Sequence, residues 1–466
     1  MIKIKLFTIA LLFCCTNFIA SQSIYFSLPL LLDQGYPDVT AKGLGSAGTL
    51  VSNCNDASAV FYNPGALGFN TKINAMASGS LLFRNSNLVP DEYVSYTSSS
   101  ETYETTNSTS WLFNSLSVSA PIIKGLTAGF SIHSNSNPVR FTEEHDFDYD
   151  IYNSISGIYA PSVNTGNLIV DTKRGSSAKT FALGYAYEDM VGVGFSYGKV
   201  TKEIDDQYTF DLNNGYSNES SIFSRSSYNQ FTVGFNYRGA DWFGLGLKYT
   251  LPTLEKIDEQ KVVIDGVTSP DPEFYLPTLR PYTLDVGLRF GNVESACLLN
   301  FSSVAIAPQV VLNDRGNFIT VSPYGTVDTA DGTSLSMNYT QKRLGIAFNS
   351  PNFRVGYNLK SYININKTLA IEALDYYPSR SIFSHSACIG SSFELDDDGA
   401  FVLDLGLEAN FFNFKYAYRL VDQVQSFDSA TSTYVTENEQ FFLNYRGVQL
   451  TVMAALSWSI DAAYAK

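Results

Sequence analysis

The chain has 466 residues, a formal net charge of -15 and only 16% charged residues. That balance excludes a nucleic-acid surface, which needs Lys and Arg clustered against phosphate. Hydrophobic residues make up 45%, yet beyond the leader no apolar run approaches the ~18 residues that carry a helix across a bilayer, so the apolar content is dispersed through short segments.

The leader comes first. Lys3 and Lys5 form a charged start, Leu6 to Phe13 an apolar stretch, and Thr16 to Ser23 a small, polar exit. This predicts a secretory signal peptide over 1–22, cleaved beside Ser21 or Ser23. Cys14 and Cys15 suggest a lipid anchor, but Phe13 stands where a lipoprotein signal needs a small residue. Beyond the leader, Cys54, Cys297 and Cys388 are too far apart for a disulfide framework or a metal site and read as small buried residues.

Residues 23–72 carry short apolar clusters without alternation, and "AKGLGSAGTLVSNCNDASAVFYNPGALGF" reads as short helical turns broken by glycines and closed by an Asn-Pro turn. Residues 73–466 then change character. In "VGVGFSYG", Val191, Val193, Phe195 and Tyr197 fall on one face, with Gly192, Gly194, Ser196 and Gly198 on the other. The same period recurs in "WFGLGLKYT" and "YTLDVGLRF", with Lys248, Asp285 and Arg289 opposite the aromatics.

Turn signals divide this region into fourteen strands, near 73–83, 110–120, 124–135, 177–188, 190–201, 225–238, 241–252, 280–290, 293–303, 334–349, 352–363, 382–395, 400–418 and 438–459. The connections after even-numbered strands are tight ("PIIKG", "EDM", "RGA", "NV", "SPN", "ELDDDGA"), and those after odd-numbered strands are long. An up-and-down transmembrane β-barrel has this parity, and 30 Tyr, 33 Phe and 33 Gly suit strands that meet lipid. The expected fold is all-β, an antiparallel barrel whose apolar face is the outside, since lipid leaves no backbone group unpaired. An even strand count places both termini on the tight-turn side, expected to be periplasmic. A ring this wide leaves a bore unless plugged, and residues 24–70 are the segment free to plug it.

The stretch resembles the N-terminal hatch of the FadL family, outer-membrane transporters of long-chain fatty acids and other hydrophobic compounds. The likeness rests on Gly43-Leu44-Gly45 with Ala47-Gly48, on Asp56-Ala57-Ser58-Ala59, and on Asn63-Pro64. The family pattern continues Asn-Pro-Ala; this chain has Gly65, with Ala66 next. The resemblance implies a fourteen-stranded barrel stoppered by its leading segment, and release by hatch movement or through a kinked strand. The third strand around Ser134 to Pro138 is the candidate for that kink. A related barrel subunit serves protein secretion and cargo shuttling, so a secretion-machine partner is the alternative.

Within the hatch, Asn63 and Pro64 read either as a latch to the wall or as a turn that ends the plug. Gly43, Gly45 and Gly48 serve either close approach to the wall or turns, and Asp56 is expected to cap a helical turn beginning at Ala57, with contact to a lumen Arg as the alternative. The histidines are His133, His145 and His385. His133 reads as a lumen residue and His145 as part of an acidic surface loop, "FTEEHDFDYD". No Ser or Cys sits at a recognisable spacing from a base. The expectation is therefore no enzyme, no cofactor and no metal. The expected function is passive outer-membrane uptake of a hydrophobic small molecule, in contact with outer-membrane lipid and lipopolysaccharide. Long loops at 84–109, 137–176, 253–279 and 304–333 would capture it, with "EFYLPTLRPY" and "GIYAPSV" as apolar grooves.

Overall fold

The computed structural model describes residues 38–90, 108–150, 163–212, 217–264, 282–306, 339–364, 381–418 and 441–461. It also describes short β segments between them at 103–104, 267–268, 278–280, 320–321, 326–328, 334–336, 377–378, 423–428 and 433–438. The signal peptide, Cys14 and Cys15, most of both grooves and the last five residues lie outside this set.

Fourteen strands form one antiparallel ring. They are β1 (Lys72–Pro90), β2 (Ser108–Ile123), β3 (Leu126–Asp150), β4 (Val163–Tyr187), β5 (Val191–Leu212), β6 (Ser217–Ala240) and β7 (Phe243–Thr250, resuming as Thr253–Ile264). The ring continues with β8 (Thr278–Arg280 and Thr283–Gly291), β9 (Ala296–Ile306), β10 (Tyr339–Asn349), β11 (Phe353–Asn364), β12 (Ser381–Glu394), β13 (Phe401–Tyr418) and β14 (Phe441–Asp461). Each pairs with its sequence neighbours, and β14 closes on β1 from Lys72 opposite Asp461 to Pro90 opposite Leu443. Closure leaves no exposed sheet edge.

The wall is inside out relative to a water-soluble protein. On β8, Arg289 is 1% exposed and Phe290 46%; on β2, Asn114 is 2% exposed and Trp111 74%. Alternation along a strand thus sorts aromatics outward and Gly, Ser, Asn and charges inward, as hydrocarbon outside and a polar bore inside require. Aromatic rings pair at both rims of the apolar band: Phe243 with Phe290 (5.8 Å) and Phe401 with Trp458 (6.2 Å) near the tight turns, Tyr249 with Tyr282 (5.8 Å) farther up.

All fourteen expected strands are present, but several run farther than the alternation suggested. The acidic segment around His145, expected to be a loop, lies in β3, whose rungs to β4 continue from Val139–Arg174 to Asp150–Val163. Likewise β4 begins at Val163 rather than near 177, and β7 resumes at Thr253 after Leu251-Pro252. Above the apolar band the ladder hydrogen bonds continue without the apolar signature that marks a strand in sequence. Of the cysteines, Cys54 and Cys388 are buried as expected. Cys297 is exposed, because its register position opposite Phe290 and Phe348 puts it on the lipid face.

Candidate functional site in the plugged lumen

Residues 38–70 fold into four short pieces: α1 (Ala41–Gly45), a 3-10 turn (Leu50–Ser52), α2 (Ala59–Tyr62) and a second 3-10 turn (Pro64–Phe69). Thr40 caps α1 by accepting the Gly43 N-H at 2.9 Å. Asn63 caps the last turn, accepting the Gly65 N-H at 3.0 Å, with Pro64 at the first position where its missing N-H costs nothing. Leu50, Val60 and Leu67 are wholly buried and share a cluster with Ala182 of the wall.

This segment touches strands on every side of the ring, which places it in the bore. Ser78 of β1 and Ser115 of β2 donate to the Val39 carbonyl at 2.6 and 3.0 Å. Asn63 donates to the Val51 carbonyl at 2.8 Å within the hatch and to the Phe235 carbonyl of β6 at 3.0 Å. Ser46 bonds Asn349 of β10 at 3.0 Å, and Asn53 donates to Val293 between β8 and β9 at 3.1 Å. Asp38 and Arg343 of β10, both buried, pair at 2.9 Å.

Wall glycines make the close fit possible. Gly184, Gly194 and Gly234 stand in one rung across β4, β5 and β6, and a β-carbon on any of them would collide with Asn63, Pro64 or Gly65. Gly246 and Gly287, paired across β7 and β8, lie under Val51 and Ser52. Gly390 and Gly406, paired across β12 and β13, lie under Gly45 and Ala41. α1 and the two 3-10 turns rest their backbone on strand backbone, where any side chain would hold them off.

The alternatives left by the sequence separate here. Asn63 both ends the plug and bonds the wall. Gly45 is a wall contact: a β-carbon there would lie 2.8 Å from Gly390 Cα. Gly48 serves a turn, with φ +67, and also lies against the Arg343 guanidinium, while Gly43 makes room for the Tyr62 ring inside the hatch. Gly65, the departure from the family pattern, sits where a β-carbon would meet the Gly234 carbonyl at 2.7 Å. Asp56 accepts the Ser58 N-H at 2.8 Å, but α2 starts only at Ala59, so the residue organises the turn before the helix rather than capping one at Ala57. Its cationic partner is Lys42 of the hatch, at 3.4 Å, not a lumen arginine.

Burial pushes the Asp38 carboxyl above its ordinary value, against the pull of Arg343. Asp56 behaves oppositely: burial raises its pKa, but Lys42 and the bonds from Ser58 outweigh that and hold it below the usual carboxylate value. Beside the hatch, Arg354 pairs with Asp404 at 3.1 Å and Lys360 with Glu408 at 3.9 Å, all four buried. Together with Asp38 and Arg343 they make a charged belt over β10, β11 and β13. In sequence Arg354 and Lys360 of "NFRVGYNLK" and Asp404 and Glu408 of "AFVLDLGLEA" fall on the polar side of their strands; the share of Asp38 and Arg343 in the belt, and the pairing across strands, are given by the structure alone. His133, on the lumen face as expected, bonds Ser131 at 3.2 Å and lies 5.0 Å from the Phe61 ring. His385 is exposed on the outer face and bonds Tyr357 at 2.6 Å.

The third strand is irregular where expected: the β3–β4 register shifts between Ser134 and Ser136 and again between Ser136 and Val139. Among the described residues, the β2–β3 ladder ends at Ser115–His133, while β2 keeps its rungs to β1 up to Ser108.

No family model and no curated protein matches this chain. Among solved structures, a Pseudomonas aeruginosa FadL homologue is similar at TM-score 0.55 and 12% identity, over 91% of this chain and 98% of that one. The P. putida toluene transporter TodX gives a TM-score of 0.49 at 12% identity, over 92% and 100% of the two chains. The Ralstonia pickettii toluene transporter TbuX gives 0.46 at 12% identity, over 91% and 98%. The first of these likenesses is one of fold: this chain is built as a FadL-like barrel.

Proposed function

We propose that the chain is an outer-membrane transporter for passive uptake of hydrophobic small molecules, and that movement of residues 38–70 gates it. One observation carries the reading: the bore enclosed by fourteen strands is stoppered by residues 38–70, held there by hydrogen bonds, glycine contacts, a buried ion pair and apolar packing. A net hydrogen bond contributes about 1 kcal/mol, so a handful of them makes a stopper that is closed at rest and displaceable by a bound ligand. The likeness of fold to a FadL homologue agrees with this reading.

A ligand taken from the outer loops would pass down the bore to the hatch. Two exits are compatible with the wall: downward past a shifted hatch, or sideways where β3 loses register around Ser134 to Val139. Both termini of the barrel, joined by the Lys72–Asp461 pair at 3.6 Å, lie at the tight-turn end, which this reading places in the periplasm. The fold serves here as a conduit rather than an enzyme.

Uptake of labelled toluene, an alkane and a long-chain fatty acid into cells with and without the protein tests the reading. Faster entry of at least one is expected. Equal entry of all three, with a protein co-purifying in stoichiometric amount, would favour a secretion scaffold instead.

A further inference from the structure

On the outer wall, the rungs that join β4, β5 and β6 change character with height. Phe181, Tyr197 and Phe231 share one rung and are exposed, with the Tyr197 and Phe231 rings 4.9 Å apart. On the next outward rung, farther from the tight turns, stand Lys179, Lys199 and Asn229, also exposed. Ser177, Thr201 and Ser227 share the outward rung beyond it. The residues in between fix the direction: Ala178, Val200 and Tyr228 are buried together on the lumen side, so the lysines point away from the bore.

Two cations directly opposite each other on neighbouring strands repel. The lumen holds the same juxtaposition, Arg343 opposite Lys360, and there the chain supplies Asp38 to the one and Glu408 to the other. Outside it supplies nothing: among the described residues neither Lys179 nor Lys199 forms an ion pair. Farther up, Glu203 and Glu259 are taken by Arg225, at 3.2 and 3.5 Å. Asn229 accepts from the Tyr197 hydroxyl at 2.9 Å, which leaves its amide N-H groups as donors beside the lysines. The rung is thus a row of donors that lacks an anion.

Its height identifies the kind of anion. Eight steps of the β4–β5 ladder lead from Tyr187–Val191, beside the tight turn, to Lys179–Lys199. At ~3.4 Å per residue and a strand tilt of about 40°, that is roughly 20 Å of rise, in the upper part of an apolar band about 25 Å tall. Lysine stems lie along apolar surface and carry their ammonium groups on toward the polar layer, so the two charges reach the headgroups of the leaflet on the long-loop side. A dissolved anion would answer the charge but would have no use for the aromatic rung below. A lipid with a phosphate head answers both.

We propose that the Lys179–Lys199–Asn229 rung is a docking site for a phosphorylated lipid of the outer leaflet. Its phosphate bridges the two ammonium groups, which bind such a group as point charges, and its acyl chains lie on Phe181, Tyr197 and Phe231. The hydroxyls of Ser177, Thr201 and Ser227 are further donors on the headgroup side. The proposal rests on the barrel standing in the outer membrane with its long loops outward, and not on what passes through the bore.

The test is native mass spectrometry of the full chain in detergent micelles that hold equal amounts of lipid A with both phosphates and lipid A from which both have been removed. The phosphorylated form is expected to be retained about tenfold over the other. Lys179→Gln with Lys199→Gln should erase that preference, and Lys179→Arg with Lys199→Arg should keep it. Folding of each variant is checked by its shift on unheated gels, and Lys199→Gln alone replaces the glutamine pair should that pair not fold. Equal retention of the two lipids by the parent, a preference that survives the glutamine pair, or one lost in the arginine pair as well overturns the site. Loss of the preference in millimolar inorganic phosphate would make it a site for dissolved anions and overturn the lipid assignment. Uptake of hydrophobic compounds is scored separately: a phosphate preference in a protein that speeds no uptake supports the lipid site and counts against transport alone.

Discussion

Gly65 of the hatch and Gly234 of β6 meet backbone to backbone: a β-carbon on Gly65 would lie 2.7 Å from the Gly234 carbonyl. The same rung holds Gly194 and Gly184 under Pro64. Gly65→Ala is therefore expected to lift the last hatch turn off the wall, at a cost of ~1–3 kcal/mol as for other overpacked sites. In planar bilayers the variant should conduct ions at a higher level than the parent. An unchanged conductance and an unchanged unfolding midpoint would show that the contact is dispensable.

Asn63 makes three bonds, two as donor to the Val51 and Phe235 carbonyls and one as acceptor from Gly65. Asn63→Ala leaves the Gly65 N-H without its acceptor, removes the bond to the Phe235 carbonyl and leaves the Val51 carbonyl to Asn236 at 3.3 Å, and is expected to cost about 1–3 kcal/mol. Hydrogen exchange reads this directly. Amides of the hatch should exchange faster in the variant while those of β4 to β6 keep their protection, and a uniform change across the barrel would argue against a latch.

The buried Asp38–Arg343 pair is sensitive to loss of one member. Asp38→Leu takes from Arg343 the carboxylate at 2.9 Å, which by precedent for buried pairs costs about 3–5 kcal/mol. Adding Arg343→Met should recover much of that loss, since the desolvation of the charge disappears with it. A double variant as weak as the single one would mean that the hatch needs the ion pair for its position.

Acid should loosen the hatch through Asp56. Its pKa is held below the usual carboxylate value by Lys42 and the Ser58 bonds, against the opposing effect of burial. A group depressed in the folded state adds stability above its unfolded pKa, ~3.9, and that stability is lost as pH falls through the lower folded value. Protection of the hatch amides should thus fall at pH 3 relative to pH 7, less steeply in Lys42→Met. Identical pH profiles for the two proteins would remove this pair from the explanation.

Strand number, closure and the inside-out wall were legible because alternation such as Val193, Phe195, Tyr197 against Gly194 and Ser196 follows directly from lipid on one face and water on the other. The upper part of β3 around His145 was not, since "FTEEHD" there carries no apolar alternation. In the hatch, the turn chemistry of Asn63-Pro64 could be read locally. The wall glycines stood out on the polar face, but their matching into the Gly184–Gly194–Gly234 and Gly390–Gly406 rungs depends on register. The bulge in β2, where Asn114 and Ser115 are both buried and the register to β1 passes from Ser78–Ser115 to Gly79–Phe113, escaped notice for a similar reason: a bulge changes the parity of a strand without changing its composition.

A reversible lock on the hatch tests gating most directly. Ser46 Oγ of the hatch lies 3.0 Å from Asn349 Oδ1 of β10, so Ser46→Cys with Asn349→Cys puts two thiols on side chains already in contact, without adding a side chain at a wall glycine. Uptake of a hydrophobic compound is measured in the same cells before and after oxidation. A gating hatch predicts that oxidation lowers uptake to the level of cells without the protein and that reduction restores it. Undiminished uptake through fully cross-linked protein would contradict it.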